Sequence, residues 1–179
     1  MQIQTKAVKL SVNALGFQAA WWLTVAGVVM QVPWLGPAAM LLYMAADHYV
    51  VTPKRQAELQ LILLAMVGGT IADSLFISLG LLNYAGSPEA LSFMAPLWIT
   101  AMWGGFAATL NHSLGWIKGN TWLAILMGAI FGPLSYLAGA KFNAITFVAE
   151  QTLVLAVLAV FWGAAIPGLI TLHKRLEQR

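Results

Sequence analysis

The sequence predicts an all-α membrane protein, one bundle of about six transmembrane helices with both termini cytoplasmic. Three observations carry that prediction. Of the 179 residues, 60% are hydrophobic and 8% are charged, against about 25% charged in soluble domains. Six apolar stretches approach the ~20 residues that a spanning helix needs. In a six-span layout Lys6, Lys9, Lys54, Arg55, Lys118, Lys174, Arg175 and Arg179 share one side, and Lys141 stands alone on the other. Basic residues gather on the cytoplasmic side of membrane proteins, so both ends belong there. An odd number of spans would split the two basic termini.

The first run, about 10–30, follows Lys6 and Lys9 as a signal sequence would, but it continues to Met30 with no small-residue cleavage site. It reads as an uncleaved helix. The second, about 35–52, begins after Pro33 and stops at Pro53; the third, about 58–82, precedes Gly86 and Pro88. The fourth and fifth, about 95–116 and 121–139, are separated by Gly119-Asn120, and the sixth covers about 145–171. Gly and Pro punctuate such connections. Little chain is left over, so residues 1–179 form a single polytopic domain. Inverted internal repetition is weak: Trp34-Leu35-Gly36-Pro37 and Phe131-Gly132-Pro133-Leu134 share only a Gly-Pro step.

Small residues mark where helices pack in lipid. Asn13, Gly16, Ala20, Thr24, Gly27 and Gln31 form one stripe on the first helix. Gly69, Asp73 and Gly80 share a face of the third, and Ala101, Gly104, Ala108 and His112 share one of the fourth. Gly128 and Gly132 make a small-xxx-small pair on the fifth.

On this background Asp47, His48, Asp73, Asn111 and His112 are the polar or ionisable residues placed where hydrocarbon belongs. Such residues face a protein interior or a water-filled cavity and mark function. Asp73 is the deepest. An Asp at the helix centre costs about 2.5–3.5 kcal/mol on insertion scales, and each Leu, Ile, Phe or Val gains about 0.3–0.6. About a dozen such residues surround it, so the third segment still inserts. Asp73 is either a protonatable or ligand-binding carboxylate or a structural tie between helices. Asp47-His48 is either a functional pair or a hydrated cytoplasmic margin, since adjacent helical residues diverge by about 100°. Asn111-His112-Ser113 offers a general base or an interhelical hydrogen bond. Trp98 and Trp103 either line an apolar pocket or pack in the core, whereas Trp21, Trp22, Trp34, Trp116 and Trp122 lie toward helix ends as interfacial anchors do. Glu150, at the start of the long sixth segment, reads as interfacial.

Some chemistry is excluded. There is no cysteine, so disulfides and thiolate sites are out. Three histidines, with no HExxH and no repeated histidine boxes, fall short of known metal signatures. The expectation is no metal and no cofactor. The pI near 9.4 arises from basic residues flanking apolar runs, so no nucleic-acid partner is expected.

The blocks Asn13…Phe17-Gln18…Trp21-Trp22, Asp73-Ser74-Leu75, Ala95-Pro96-Leu97-Trp98…Trp103-Gly104-Gly105-Phe106-Ala107…Leu110…Ser113-Leu114, and Gly128…Gly132-Pro133-Leu134-Ser135-Tyr136…Ala138-Gly139 resemble those of the bacterial DUF2878 family. The resemblance covers nearly the whole chain. It implies an integral inner-membrane protein in a lipid-related setting, and no defined activity. It adds weight to Asn13, Asp73, Trp98, Trp103, Ser113 and Tyr136, which fall inside the blocks, and none to Asp47 and His48.

The functional expectation is a bacterial inner-membrane protein of lipid or envelope metabolism that binds or moves an apolar molecule or lipid in an intrabundle cavity. Asp73 would be its central polar group, with Asn13, Asn111, His112, Trp98, Trp103, Tyr136, Asp47 and His48 as further candidates. Its partners would be membrane lipids and other membrane or lipid-modifying proteins. Two alternatives stand beside it: a small lipid-modifying membrane enzyme using His112 or Asp73 for acid–base work, and an accessory subunit of a larger membrane complex.

Overall fold

The computed structural model describes residues 6–50, 55–87 and 89–178. Thr52, Pro53, Lys54, Pro88 and Arg179, used above as boundary or topology marks, lie outside the described residues. Six α-helices follow one another: α1 Lys6–Val29, α2 Leu35–Val50, α3 Arg55–Ser78, α4 Leu97–Thr109, α5 Thr121–Lys141 and α6 Gln151–Glu177. Two three-residue strands, β1 Leu82–Tyr84 and β2 Ile145–Phe147, pair antiparallel. Four helices (α1, α3, α5 and α6) are long and apolar enough to cross a membrane. With 16 and 13 residues, α2 and α4 are shorter than a full span.

Successive helices alternate in direction. Asn13 early in α1 meets Asp47 late in α2, and Ser74 late in α3 meets Ala95 just before α4. Asn111, just past α4, meets both Glu58 early in α3 and His173 late in α6. The described chain therefore starts and finishes at one end of the bundle, here the termini end, and the β-ribbon lies at the other.

Helix α4 is the hub. It packs against α1, α2 and α3, and nine of its thirteen residues are buried. A helix apolar all round belongs in an interior, which explains how so short a helix can sit in this bundle. The small-residue stripes do what their spacing requires. Asn13, Ala20, Thr24 and Gly27 are buried on α1. A side chain at Gly128 would strike the backbone of Trp162, and one at Gly132 would strike its ring, so this pair lets α5 and α6 approach closely.

Three helices end at the ribbon end in the same way. After α3, Gly80 takes φ +67°, Gly80 N–H donates to the Ile77 carbonyl and Leu81 N–H to that of Phe76. Gln31 after α1 and Asn143 after α5 adopt φ 58° and 57° with the same pair of bonds. This Schellman arrangement satisfies carbonyls that the ended helix orphans.

It also corrects several sequence boundaries. The third helix stops at Ser78 instead of 82, so Gly80 lies outside the face it was assigned to. Residues 145–147, expected to open the sixth helix, are strand, and α6 begins at Gln151 with the Glu150 side chain accepting from the N–H groups of Thr152 and Leu153. The fourth helix ends at Thr109 instead of 116. There the Asn13 amide donates to the Ala108 carbonyl and accepts from Ser113 N–H. A side chain from α1 thus takes over groups that another helical turn would have used. Asn111 and His112 sit in the turns beyond α4, not on it.

Candidate functional site

Two polar clusters are buried in the bundle. The first surrounds Asp73, which is 0% exposed. Tyr84 and Tyr136 hydroxyls both donate to its Oδ1, the latter at 2.6 Å, and Trp103 Nε1 donates to Oδ2 at 2.6 Å. The three donors come from β1, α5 and α4. Tyr84 arrives there because strand side chains alternate: Leu82 and Tyr84 face inward while Asn83 faces out. Trp98 fixes the ribbon by donating to the Ala85 carbonyl at 2.9 Å. Trp103 lies against Gly69, where any side chain would collide with its ring, and stacks on Trp162 at 4.5 Å between centroids.

Beside this cluster is a cavity of about 530 Å³, inside the ~300–1,000 Å³ range of small-molecule sites. Asp73, Trp98, Trp103 and Tyr136 lie in its wall with Met102 and Trp162, and Trp21 of α1 and Leu134 of α5 line it as well. Its rim carries exposed apolar residues from both of those helices, Trp22 on one and Phe131 on the other. Trp22 meets Phe142, at the end of α5, edge to face at 5.6 Å. The cavity thus opens between α1 and α5, with an aromatic pair across one end.

The second cluster lies at the termini end. Asn13 donates to the Tyr43 hydroxyl at 3.0 Å and to Asp47 Oδ1 at 2.8 Å. Asn111 donates to Glu58 Oε2 at 2.6 Å, and Lys118 donates to the Asn111 side-chain oxygen Oδ1. His112 Nε2 faces Asp47 Oδ2 at 3.8 Å and Glu58 Oε1 at 3.6 Å. His173 adds contacts to Asn111 at 3.3 Å and Glu177 at 3.4 Å. Lys118, in the 3₁₀ turn Gly115–Gly119, is half-buried. Burial pushes its ammonium below the ordinary lysine value, against the opposing pull of Glu58 and Glu177.

The DUF2878 family model, described as a protein of unknown function, matches residues 10–168. The chain belongs to the DUF2878 family. No curated protein and no solved structure matches it.

In this DUF2878 chain the candidate residues fall into two groups. Asp73, Trp98, Trp103 and Tyr136 meet at the cavity. Asn13, Asp47, Asn111 and His112 meet at the termini end, so neither Asn13 nor His112 partners Asp73. Asp47 is 2% exposed and is no hydrated margin. His48 lies beside Asp47, but its Nδ1 is buried without a hydrogen-bond partner among the described residues, and its ring meets Tyr49. Sequence reasoning missed Tyr84, Tyr43 and Glu58. Glu58 carried one available signal, its place at the start of an apolar run four residues after Lys54, which resembled an ordinary helix-end charge.

Proposed function

We propose that this chain is a bacterial inner-membrane protein with six spans and cytoplasmic ends, and that it holds an apolar molecule or lipid chain in the cavity between α1 and α5. The carrying observation is that cavity: aromatic and aliphatic walls, a side opening flanked by exposed apolar residues, and one buried polar group. Binding sites of this class combine mostly apolar walls with a few placed polar groups. An opening between helices faces the acyl chains of a bilayer, which suits a hydrophobic guest and a role in lipid or envelope metabolism.

Asp73 acts here as the fastening point of the wall. Its two oxygens hold Trp103, Tyr136 and Tyr84 in fixed orientations, leaving the rings of Trp103 and Tyr136 in the cavity wall as the guest's contact surface. Asp73 and His112 belong to different clusters, so an acid–base pair made from these two is not favoured.

Native mass spectrometry and lipid extraction of the protein purified in mild detergent test this reading. The expected result is a bound apolar species retained at about one per chain. Ala138 lines the cavity outside the Asp73 network. Ala138→Phe should fill the space and lower that occupancy about tenfold or more, since a guest cannot share volume with an added ring. A folded Ala138→Phe protein carrying the same species at the same occupancy overturns the proposal.

A further inference from the structure

We propose that Asp47, Glu58 and His112 form a site for one divalent transition-metal ion of the zinc or manganese class. The site is independent of the cavity between α1 and α5, and its donors come from three places in the chain: late α2, early α3 and the turns after α4.

The spacing is the first argument. One donor atom from each residue lies within 4.8 Å of the other two. The imidazole Nε2 is 3.6 Å from Glu58 Oε1 and 3.8 Å from Asp47 Oδ2. Both distances exceed the ~2.7–3.2 Å of an N–H···O hydrogen bond. They approach the ~3.4 Å that separates two donors on a tetrahedral ion with bonds of about 2.1 Å. The three groups stand around a shared point more than they touch one another.

The second argument is an orphaned oxygen. Glu58 is 3% exposed, yet its Oε1 has no hydrogen-bond partner among the described residues. A buried carboxylate oxygen without a donor costs free energy, and this one is aimed at His112 and the space beside it. The other oxygen, Oε2, is held by Asn111, just as Asp47 Oδ1 is held by Asn13. Each carboxylate is therefore oriented through one oxygen by an amide while its second oxygen turns toward the imidazole. Asn111 is in turn held by Lys118. Outer hydrogen bonds of this kind fix the orientation of metal ligands.

Donor chemistry sets the class of ion. Two carboxylates with one imidazole suit zinc, manganese or ferrous iron, whereas calcium and magnesium prefer oxygen alone. Two carboxylates also match a double positive charge. Three protein ligands leave a coordination position open, as in catalytic zinc sites, and the His112 side chain, 10% exposed, gives that position an edge on the exterior. The shortage of histidines in the sequence argued against a metal, but a single histidine suffices once the fold brings two distant carboxylates to it.

The test uses the full chain in detergent, stripped with a chelator and titrated calorimetrically with zinc chloride and manganese chloride. Saturable binding of one ion per chain is expected. Glu58→Gln and His112→Ala should each weaken it about 100-fold or more, and Asn111→Ala about 10–100-fold. Glu177→Gln, which changes the charge beside His173 and Lys118 but none of the three donors, should leave it unchanged. Cobalt substitution adds a readout beyond affinity: its visible absorption should change in His112→Ala. Absence of saturable binding overturns the site. So does binding that survives in a folded Glu58→Gln protein, or that disappears in Glu177→Gln alone.

Discussion

The two buried clusters differ in how completely their carboxylates are satisfied. Asp73 receives three donors from three elements and has no carboxylate neighbour among the described residues. Asp47 and Glu58 lie close together around one imidazole, and one Glu58 oxygen has no donor among the described residues. A fully bonded buried charge fixes structure, because its partners lose orientation when it goes. A buried carboxylate oxygen left without a donor is a standing cost that a bound cation removes. The comparison assigns Asp73 to architecture and the termini end to ligand chemistry, and each assignment can be broken.

The largest effect is expected at Asp73. Asp73→Ala orphans two hydroxyls and an indole N–H, at about 1–3 kcal/mol for each buried group left unsatisfied. Asp73→Asn keeps an acceptor for the tyrosines but turns an amide donor toward Trp103 Nε1, so it should cost about 1–3 kcal/mol. Thermal unfolding in detergent checks the order, wild type above Asn above Ala. Both variants should also lose the apolar guest, since the wall is no longer held. If Asp73→Asn unfolds like wild type, keeps its structure and still loses the guest, Asp73 contacts the guest directly and the architectural reading fails.

Glu58→Gln should behave in the opposite sense. Without metal it should be at least as stable as wild type, because it removes a buried carboxylate that neighbours another and has one oxygen without a donor among the described residues. With metal, wild type should gain thermal stability, since a ligand that binds only the folded state raises it by mass action, while the variant should gain none. A metal-free Glu58→Gln protein as damaged as Asp73→Asn would show that the two clusters are alike after all.

The sequence made the helices legible because length and apolar character decide insertion, and it made Asp73 legible because a lone carboxylate deep in an apolar run must meet polar partners inside the bundle. It hid the ribbon, since three-residue strands are too short to show an alternation and their neighbours are apolar. It hid the end of α4 for a different reason. Leu110 and Leu114 keep a helical spacing with no proline between them, and the backbone groups freed at the break are met by Asn13, nearly a hundred residues earlier. Glu58 joined the site only through the meeting of α2, α3 and the turns after α4. Local pattern carries no record of such pairings. Tyr43 and Tyr84 were equally opaque, because a tyrosine that packs and one that donates to a buried carboxylate read the same.

Glu150 gives the smallest effect and closes the comparison from the solvent side. This exposed carboxylate caps α6, accepting from Thr152 N–H at 2.9 Å and Leu153 N–H at 2.8 Å. Those backbone bonds favour the charged form and hold its pKa below the ordinary 4.5. A carboxylate with a folded pKa below its unfolded one stabilises the fold above the unfolded value, and the gain is lost as pH falls through the folded value. Glu150→Gln should therefore melt slightly below wild type at neutral pH, and the two should converge as the pH drops from about 5 toward 3. Melting curves across that range in a metal-free buffer isolate the cap, because the Glu58 cluster is common to both proteins. A difference that persists unchanged at the acid end would mean that Glu150 stabilises by shape or packing and not through its charge.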